Sequence, residues 1–504
     1  MSGESLKREV LSGMRWTVSA RVLVQLITWP STVIVMRLLN PRDYGLVAIS
    51  TVVIQFLSMF GDPGLAAGLV QTEVLRDDTS RAASALIAVI NLLLLGVLIL
   101  AAPGIAEWYH EPQLTQVIRV ASLSLLMTAI ATVPQAHLVR NLRFREMAVA
   151  MIVGSVAASV ATILGALLGL GVWSLVIGTL MLSALRSIFI IAYNRSAVWP
   201  DFSKGFEPVR HLMHFSVHML FNRVLWYCSM NLDLIVLGRL VRSTELGSYS
   251  VGANLAAIPG DKAMDAVNRV SFPTLSRLRG NRAQFNYTYE RIERMLALFG
   301  FLVAWGLAAV APEFVHVVLS DKWQFAVIPL AMLSIAAPVR MLTALQNTVN
   351  NAAGVPQASS KVLGLTCLVL PVGILIGARV AGINGAAVAC VLVYTIVFFV
   401  STLYTCRVTE RAMRDNLRLI FVPLAAGIAM LLVNWALRAL LSAHLPSAAL
   451  LGVEIVAAAV AFLGTVHFLN PAVLRDARVL LGELLRPEKP VNPAIAREHF
   501  SSDE

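Results

Sequence analysis

Apolar runs long enough to cross a lipid bilayer recur along the whole chain, and no other feature of the sequence restricts its fold as strongly. A helix needs about 20 mainly apolar residues to span the hydrocarbon core of a membrane. The composition agrees, because 58% of the 504 residues are hydrophobic and only 14% are charged, whereas soluble domains have about 25% charged residues. The sequence therefore predicts an all-α, polytopic membrane protein.

The runs predict about fourteen transmembrane helices joined by short polar segments. No connection is long enough to form a soluble domain that could house an active site. The helices are predicted at about 15–38, 45–71, 82–103, 114–137, 147–168, 171–193, 212–238, 246–268, 288–311, 326–350, 360–379, 383–405, 417–440 and 447–469.

The net charge of +11 arises mainly from lysines and arginines in the polar segments. Alternate segments, starting with the one before the first helix, hold more than three times as many of these residues as the others. Because basic segments remain on the cytoplasmic side, we predict that both termini are cytoplasmic. The basic residues do not form a patch on a folded domain, so nucleic-acid binding is not predicted.

The first half of the chain matches the second half at shifts of 202 and 211 residues. The matched pairs are Arg21 with Arg223, Val22 with Val224, Leu23 with Leu225, Arg37 with Arg239, Leu38 with Leu240, Asp43 with Glu245, Gly45 with Gly247, Gln135 with Gln346, and Gly171 with Gly382. Each repeat contains six helices, an even number, so the repeats are parallel and related by an axis along the membrane normal. Helices 13 and 14 stand outside the repeat.

The repeat predicts two pseudo-symmetric six-helix lobes plus two C-terminal helices. Residues 1–200 would form an N-lobe of helices 1–6, and residues 201–410 a C-lobe of helices 7–12. Residues 411–470 would form helices 13 and 14, and residues 471–504 a cytoplasmic tail.

Arg21 and Arg223 are the first candidate site residues, because each lies within an apolar helix at an equivalent position of the repeat. An arginine inside a membrane costs about 2.5–3.5 kcal/mol on insertion scales and normally faces a bundle interior or a wet cavity. Parallel repeats place substrate at their interface. We therefore predict that the two guanidinium groups bind an anionic group, most plausibly a phosphate. The alternative is that each snorkels or pairs within its own lobe.

Acidic residues and a proline are candidates for coupling or gating. Asp62 lies in a Gly-Asp-Pro-Gly segment that should break helix 2, while Asp233 and Asp265 lie within helices 7 and 8. They could relay a proton or cation, or they could form ion pairs and cap a helix break. Pro30 is either a hinge or a static bend in helix 1.

Three histidines, His211, His214 and His218, share one face at the start of helix 7. They could contact a phosphate at the inner mouth, or they could simply lie at the membrane interface. No cysteine or acidic residue nearby completes a metal site, so we predict neither a metal nor a cofactor.

Six segments of the sequence, in this order and spacing, resemble the Wzx-type oligosaccharide flippases. These proteins form the polysaccharide-transporter branch of the multidrug/oligosaccharidyl-lipid/polysaccharide exporter superfamily. The match is nearest to exporters of extracellular polysaccharide units such as those of colanic acid or xanthan. The segments are Arg37–Leu46, Gly61–Leu65 with Leu69–Gln71, Gly171–Leu175, Asn231–Asp233 with Leu237–Arg239, Leu246–Ser250, and Phe272–Arg277.

The resemblance implies a non-enzymatic flippase of the bacterial inner membrane. Its cargo would be an undecaprenyl-diphosphate-linked oligosaccharide, moved by alternating access from the cytoplasmic to the periplasmic leaflet for exopolysaccharide synthesis. Partners would be membrane lipids and a polysaccharide polymerase with its co-polymerase. Related lipid II flippases use arginines in helices 1, 2 and 8; here Arg21 fits helix 1, and helix 8 offers Lys262.

Other functions on the same chain remain open at this point. A cation-coupled drug antiporter would have acidic rather than basic residues lining its cavity, and a lipid II-type flippase would share the fold. A membrane enzyme such as a polymerase would need a sizeable outer loop, and none is present. An assembly scaffold would not transport.

Overall fold

The computed structural model describes residues 3–62, 64–72, 76–194, 200 and 210–471. Within these ranges, only the backbone is described for residues 3–12, 14, 15 and 210–222. This part of the chain is helical and contains no strand. The helices are α1 (Gly3–Leu38), α2 (Pro41–Gly61), α3 (Leu65–Gln71), α4 (Asp77–Trp108), α5 (Leu114–Ala121), α6 (Leu123–Arg140), α7 (Phe144–Leu167), α8 (Val172–Tyr193), α9 (Arg210–Leu240), α10 (Ser243–Arg277), α11 (Arg282–Ala309), α12 (Ala311–Phe314), α13 (Val327–Ala352), α14 (Pro356–Thr409), α15 (Met413–Leu441) and α16 (Ser447–Leu469).

The helices confirm the fourteen predicted spans. Eleven helical segments of the described chain are long and apolar enough to cross a membrane. One of them, α14, contains two spans, because its backbone leaves the helical conformation at Ala381 and Gly382. The helices α9 and α10 have the required length but carry more polar and charged residues, and they complete the set.

Two local features of the fold follow from backbone chemistry. The segment between Gly61 and Leu65 breaks the second span into α2 and α3, as the Gly-Asp-Pro-Gly pattern predicts. In contrast, α10 continues without a break to Arg277, although Pro273 within it lacks an N–H group.

The helices pack mainly within two halves of the chain. We call α1–α8 the first half and α9–α14 the second half. In the first half α7 packs against α1 and α8, and in the second half α13 packs against α10, α11 and α14. The last two helices, α15 and α16, pack against each other and α11. The division into moving lobes stays a prediction, and the tail predicted from residue 471 lies outside the described residues apart from its first residue.

The two halves meet where α2 crosses α10. A Cβ atom added to Gly45 would lie 1.9 Å from the carbonyl oxygen of Ser243, and one added to Gly247 would lie 1.8 Å from that of Pro41. Pro41 and Ser243 are themselves related by the shift of 202 residues. The contact is therefore reciprocal, and the two helices approach so closely because neither carries a side chain at this point.

Further contacts tie the halves together on the same side of the membrane. We call the side where α1 begins the N-terminal side and the side where it ends the opposite side. On the opposite side Arg37 donates hydrogen bonds to the carbonyl groups of Val317 and Val318. Its repeat partner Arg239 contacts His110, in the first half, at 2.7 Å. Each half thus uses the arginine at the end of its first helix to hold a connecting segment of the other.

The backbone also repeats at the start of the sixth span of each half. Gly171 has φ 56° and ψ −128°, and Gly382, its match at a shift of 211 residues, has φ 58° and ψ −140°. Gln135 and Gln346, the other pair at this shift, both bond to the sixth span of their own half. Their partners are Arg186, at 3.3 Å, and Thr402, at 2.9 Å.

Candidate functional site

Arg21 lies on a polar stripe of α1. Residues four, four, three and four positions apart fall on one face of an α-helix, and here they are Thr17, Arg21, Gln25, Thr28 and Thr32. The face about 120° away is apolar, with Val22, Leu26, Trp29 and Val33. The stripe therefore differs sharply from the face of α1 that suits contact with lipid.

Further along α1, the face that carries this stripe turns toward the second half of the chain. Met36 and Val35 follow Arg21 by 15 and 14 residues. Around the helix axis they project to either side of the direction in which Arg21 projects. Both are buried, and the Met36 carbonyl accepts a hydrogen bond of 2.8 Å from the indole N–H of Trp323 in the second half. Arg21 is itself exposed and forms no ion pair or hydrogen bond with any residue of the described chain.

Arg223 lies on the face of α9 that turns toward the first half. One turn further along, the hydroxyl of Tyr227 donates a hydrogen bond of 2.9 Å to the Val52 carbonyl of α2. Two turns further along, Met230 occupies the same face. The Arg223 side chain is exposed and, like that of Arg21, has no hydrogen-bonding or ionic partner among the described residues.

The two arginines lie at the same distance from the opposite-side ends of their helices. Arg21 precedes the end of α1 at Leu38 by seventeen residues, and Arg223 precedes the end of α9 at Leu240 by the same number. At 1.5 Å per residue, each lies about 26 Å from the opposite end of its helix. This depth is near the N-terminal-side boundary of a hydrocarbon core of about 30 Å.

The helix α10 brings charged residues of both signs to a similar depth. Lys262 and Asp265 are exposed, and Asp261 beside them interacts electrostatically with Arg340 of α13, with Asp265 and with Lys262. The positive charge of Lys262 is thus partly balanced by acidic neighbours on its own helix. This arrangement differs from that of Arg21 and Arg223, which have no acidic residue within the adjacent turns of α1 or α9.

Asp233 lies deeper in the second half, closer to the opposite side. One carboxylate oxygen accepts a hydrogen bond of 3.0 Å from the Tyr249 hydroxyl, and the other accepts one of 2.9 Å from the backbone N–H of Leu234. Neither oxygen lies within ion-pair distance of a basic side chain of the described chain. The carboxylate is held in place by these two donors and interacts with Arg340 at longer range.

The remaining candidates take more local roles in the structure. Asp62 accepts hydrogen bonds from the N–H groups of Gly64 and Ala66, at 3.1 and 3.2 Å, and so caps the start of α3. Pro30 lies within the single helix α1 and is exposed. The side chains of the three histidines at the start of α9, His211, His214 and His218, lie outside the described residues.

Sequence reasoning overlooked Arg340, which occupies the middle of α13. It lies thirteen residues after Val327 and twelve before Ala352, so it is a mid-membrane arginine. Its guanidinium carbon lies 4.9 Å from the ring centroid of Tyr394, and a terminal nitrogen lies 3.7 Å from the Met230 sulfur. The search for repeated arginines missed it because the equivalent position of the first half holds Ala129. A single basic residue inside an apolar run was the available signal.

Comparison with families of known proteins matches residues 34–328 to the model of a family described as polysaccharide biosynthesis protein. A succinoglycan biosynthesis transport protein, ExoT of Rhizobium meliloti, is 26% identical over 500 residues, which cover 97% of this chain and 99% of that protein. The lipopolysaccharide biosynthesis protein WzxC of Escherichia coli is 22% identical over 449 residues, covering 88% of this chain and 90% of that one.

Two solved structures are similar in fold. A lipid II flippase, MurJ, in an inward closed conformation superposes with a TM-score of 0.71 at 14% identity, covering 92% of this chain and all of that one. An inward-facing multidrug transporter of the MATE family gives a TM-score of 0.60 at 14% identity, with 78% of this chain and 95% of that one covered. At this identity, the likeness concerns the fold alone.

Proposed function

Since the chain belongs to the polysaccharide biosynthesis protein family, confirming the resemblance found in its motifs, we propose that it is a flippase for polysaccharide precursors. Its cargo is an oligosaccharide linked through a diphosphate to undecaprenol, and it moves from the N-terminal side of the membrane to the opposite side. The chain is a multi-pass membrane transporter rather than an enzyme. In this proposal the membrane is the bacterial inner membrane and both termini are cytoplasmic.

One observation supports the proposal above all others. Arg21 and Arg223 lie at matching positions of the two halves, at the same distance from the opposite-side ends of their helices, on faces that turn toward the other half, and without a partner among the described residues. A guanidinium group has five N–H donors and remains charged in a dry site. Two such groups, one from each half, can bind the oxygens of one diphosphate from two sides.

The charge of these residues favours an anionic over a cationic cargo. A drug antiporter that binds organic cations would use unpaired carboxylates, whereas Asp233 and Asp62 already accept hydrogen bonds from Tyr249 and from backbone N–H groups. The third candidate, Asp265, lies one turn from Lys262 on α10. In contrast, the donors of Arg21 and Arg223 are free within the described chain. We therefore assign the diphosphate to these two arginines and the sugars to polar and aromatic groups nearer the opposite side.

Alternating access would then require the contacts between the two halves on the opposite side to break. We propose that residues 1–200 and 201–410 move as two lobes, while 411–470 remain packed on the second. The contacts of Arg37 and Arg239, and the approach of Gly45 to Gly247, hold the lobes together on the opposite side in this structure. Cargo would enter from the N-terminal side, and breaking these contacts would release it.

The other candidates take supporting roles in this proposal. Lys262 and the histidines His211, His214 and His218 contact the phosphate at the inner mouth, and Pro30 serves as a hinge in α1. Asp62, Asp233 and Asp265 are the candidates for coupling or gating. A polysaccharide polymerase and its co-polymerase would receive the cargo on the opposite side.

Reconstitution tests the proposal directly. The full-length protein is inserted into liposomes that contain a fluorescent, undecaprenyl-diphosphate-linked oligosaccharide, and a membrane-impermeant quencher or glycosidase reports which leaflet holds the label. Liposomes with the protein should expose the whole lipid pool, and protein-free liposomes only the outer leaflet's share. Equal exposure in the two preparations would refute the proposed function.

A further inference from the structure

We propose that Arg340 forms a second oxyanion-binding site at the middle of the membrane, beyond the site of Arg21 and Arg223. The inference rests on the proposed function, because it assigns a further contact to the same anionic cargo. The group bound is an oxyanion, either the diphosphate in transit or a carboxylate on an acidic sugar.

The position of Arg340 is the first argument. It lies about 20 Å from the start of α13 on the opposite side, whereas Arg223 lies about 26 Å from the end of α9 on that side. Met230, which contacts Arg340, follows Arg223 by two helical turns on the same face of α9, about 10 Å closer to the opposite side. The face that carries Arg223 therefore leads to Arg340.

The environment of Arg340 is the second argument. Among the described residues it contacts the Met230 thioether sulfur at 3.7 Å, which is a weak acceptor, and the face of the Tyr394 ring. No carboxylate of the described chain lies within ion-pair distance of it. Asp233, the nearest acidic residue on α9, has both oxygens occupied by Tyr249 and by a backbone N–H group. Most of the five N–H donors of Arg340 thus have no acceptor among the described residues.

Neither of the two residues that meet here is fully enclosed by surface area. Arg340 is half-buried, and Met230 is 39% exposed. The guanidinium carbon lies 4.9 Å from the centroid of the Tyr394 ring, so the ring face contacts the guanidinium group. A guanidinium group can bind a carboxylate or a phosphate with two parallel hydrogen bonds.

A structural role for Arg340 makes a different prediction. If Arg340 only balanced the charges of Asp233 and Asp261, then Arg340→Lys would preserve its function, and Asp233→Asn would produce the same defect as Arg340→Gln. An oxyanion site instead requires the two-pronged guanidinium, so Arg340→Lys should bind with intermediate affinity. Removing the negative charge of Asp233 should strengthen anion binding, because it removes a repulsion.

The experiment measures binding by the full-length protein in lipid nanodiscs. The three probes are undecaprenyl diphosphate, the same lipid with a neutral oligosaccharide, and the same lipid with a glucuronate-containing oligosaccharide. The variants are Arg340→Gln, Arg340→Lys and Asp233→Asn. Arg379→Gln is the matched control. Arg379 is an exposed arginine of the second half, and it lies where its span ends on the opposite side of the membrane.

We expect Arg340→Gln to weaken binding roughly 10- to 100-fold, as for the loss of hydrogen bonds to a charged group, while Arg379→Gln binds as the wild type does. A loss with all three probes identifies the diphosphate as the group bound, and a loss with the glucuronate probe alone identifies the sugar carboxylate. Equal binding of all three probes by Arg340→Gln and the wild type overturns the assignment of Arg340 and leaves the proposed function intact. Failure of the wild-type protein to bind any probe overturns both.

Discussion

Gly45 and Gly247 contact each other's helices as a reciprocal pair across the junction between the two halves. Each glycine faces the carbonyl group at the start of the other's helix, of Ser243 and Pro41 respectively. Residues related by the same shift of 202 positions therefore occupy both sides of one contact, as expected near a two-fold axis. This relationship places the axis of the internal repeat between α2 and α10, on the opposite side of the membrane.

We predict that Gly45→Ala prevents the close approach of α2 and α10. The added methyl group would lie 1.9 Å from the backbone oxygen of Ser243, which cannot move aside as a side-chain end can. Spin labels at the exposed residues Gln113 and Gln324, one in each half, should therefore give a longer or broader distance distribution. The matched control is Gly96→Ala, since Gly96 has no atom within 4 Å of an added Cβ. An unchanged distribution in Gly45→Ala would contradict this account of the junction.

A second prediction concerns the ties made by Arg37. Its side chain donates to two carbonyl groups of the segment Val315–Leu319, in the other half. Arg37→Gln should loosen this segment by about 1 kcal/mol and speed its amide hydrogen exchange. Arg143→Gln is the control, because Arg143 pairs with Glu146 inside the first half, at 2.9 Å. Equal exchange in the two variants would show that Arg37 does not hold the segment.

A third prediction concerns Arg438, which joins the last two helices to the second half. Its guanidinium group contacts Glu313, lies 3.2 Å from Glu454, and donates to the Ala309 carbonyl at 2.9 Å. Glu454 is 0% exposed, so Arg438→Ala leaves a buried carboxylate without its cation. We expect a loss of about 3 kcal/mol, near the lower end for broken buried pairs because Arg438 is partly exposed.

Thermal unfolding of the purified protein checks the role of Arg438. The added change Glu454→Gln should recover part of the lost stability, because it removes one of the two uncompensated charges rather than restoring the contacts. An unfolding temperature of Arg438→Ala equal to that of the wild type would rule out this role. So would a double variant no more stable than the single one.

Much of the fold could be predicted from the sequence, because bilayer thickness dictates the length of each apolar run. Fourteen spans, the break after Gly61 and the family were all predicted. The matching of Gly45 with Gly247 was also found, but not their mutual contact. A repeat in sequence does not say where its axis passes.

The contacts between the two halves could be predicted less well from the sequence. Several ties on the opposite side end on main-chain carbonyl groups, such as those of Val317, Val318 and Met36, and no side-chain pattern reveals them. Arg340 escaped notice because only one half carries an arginine there. The internal repeat directs attention to paired residues, so a site built by one half alone requires a separate search of every span.

The most direct test of the central claim is the rate at which single-site variants flip the lipid-linked oligosaccharide in liposomes. The variants are Arg21→Ala, Arg223→Ala and, as the control, Arg379→Gln. If the two guanidinium groups bind one diphosphate, each alanine variant should lose at least about tenfold in rate, as for a lost charged hydrogen bond of 1.5–3 kcal/mol, without a drop in its amount in the membrane. The control should keep the wild-type rate. Wild-type rates in both alanine variants would contradict the account.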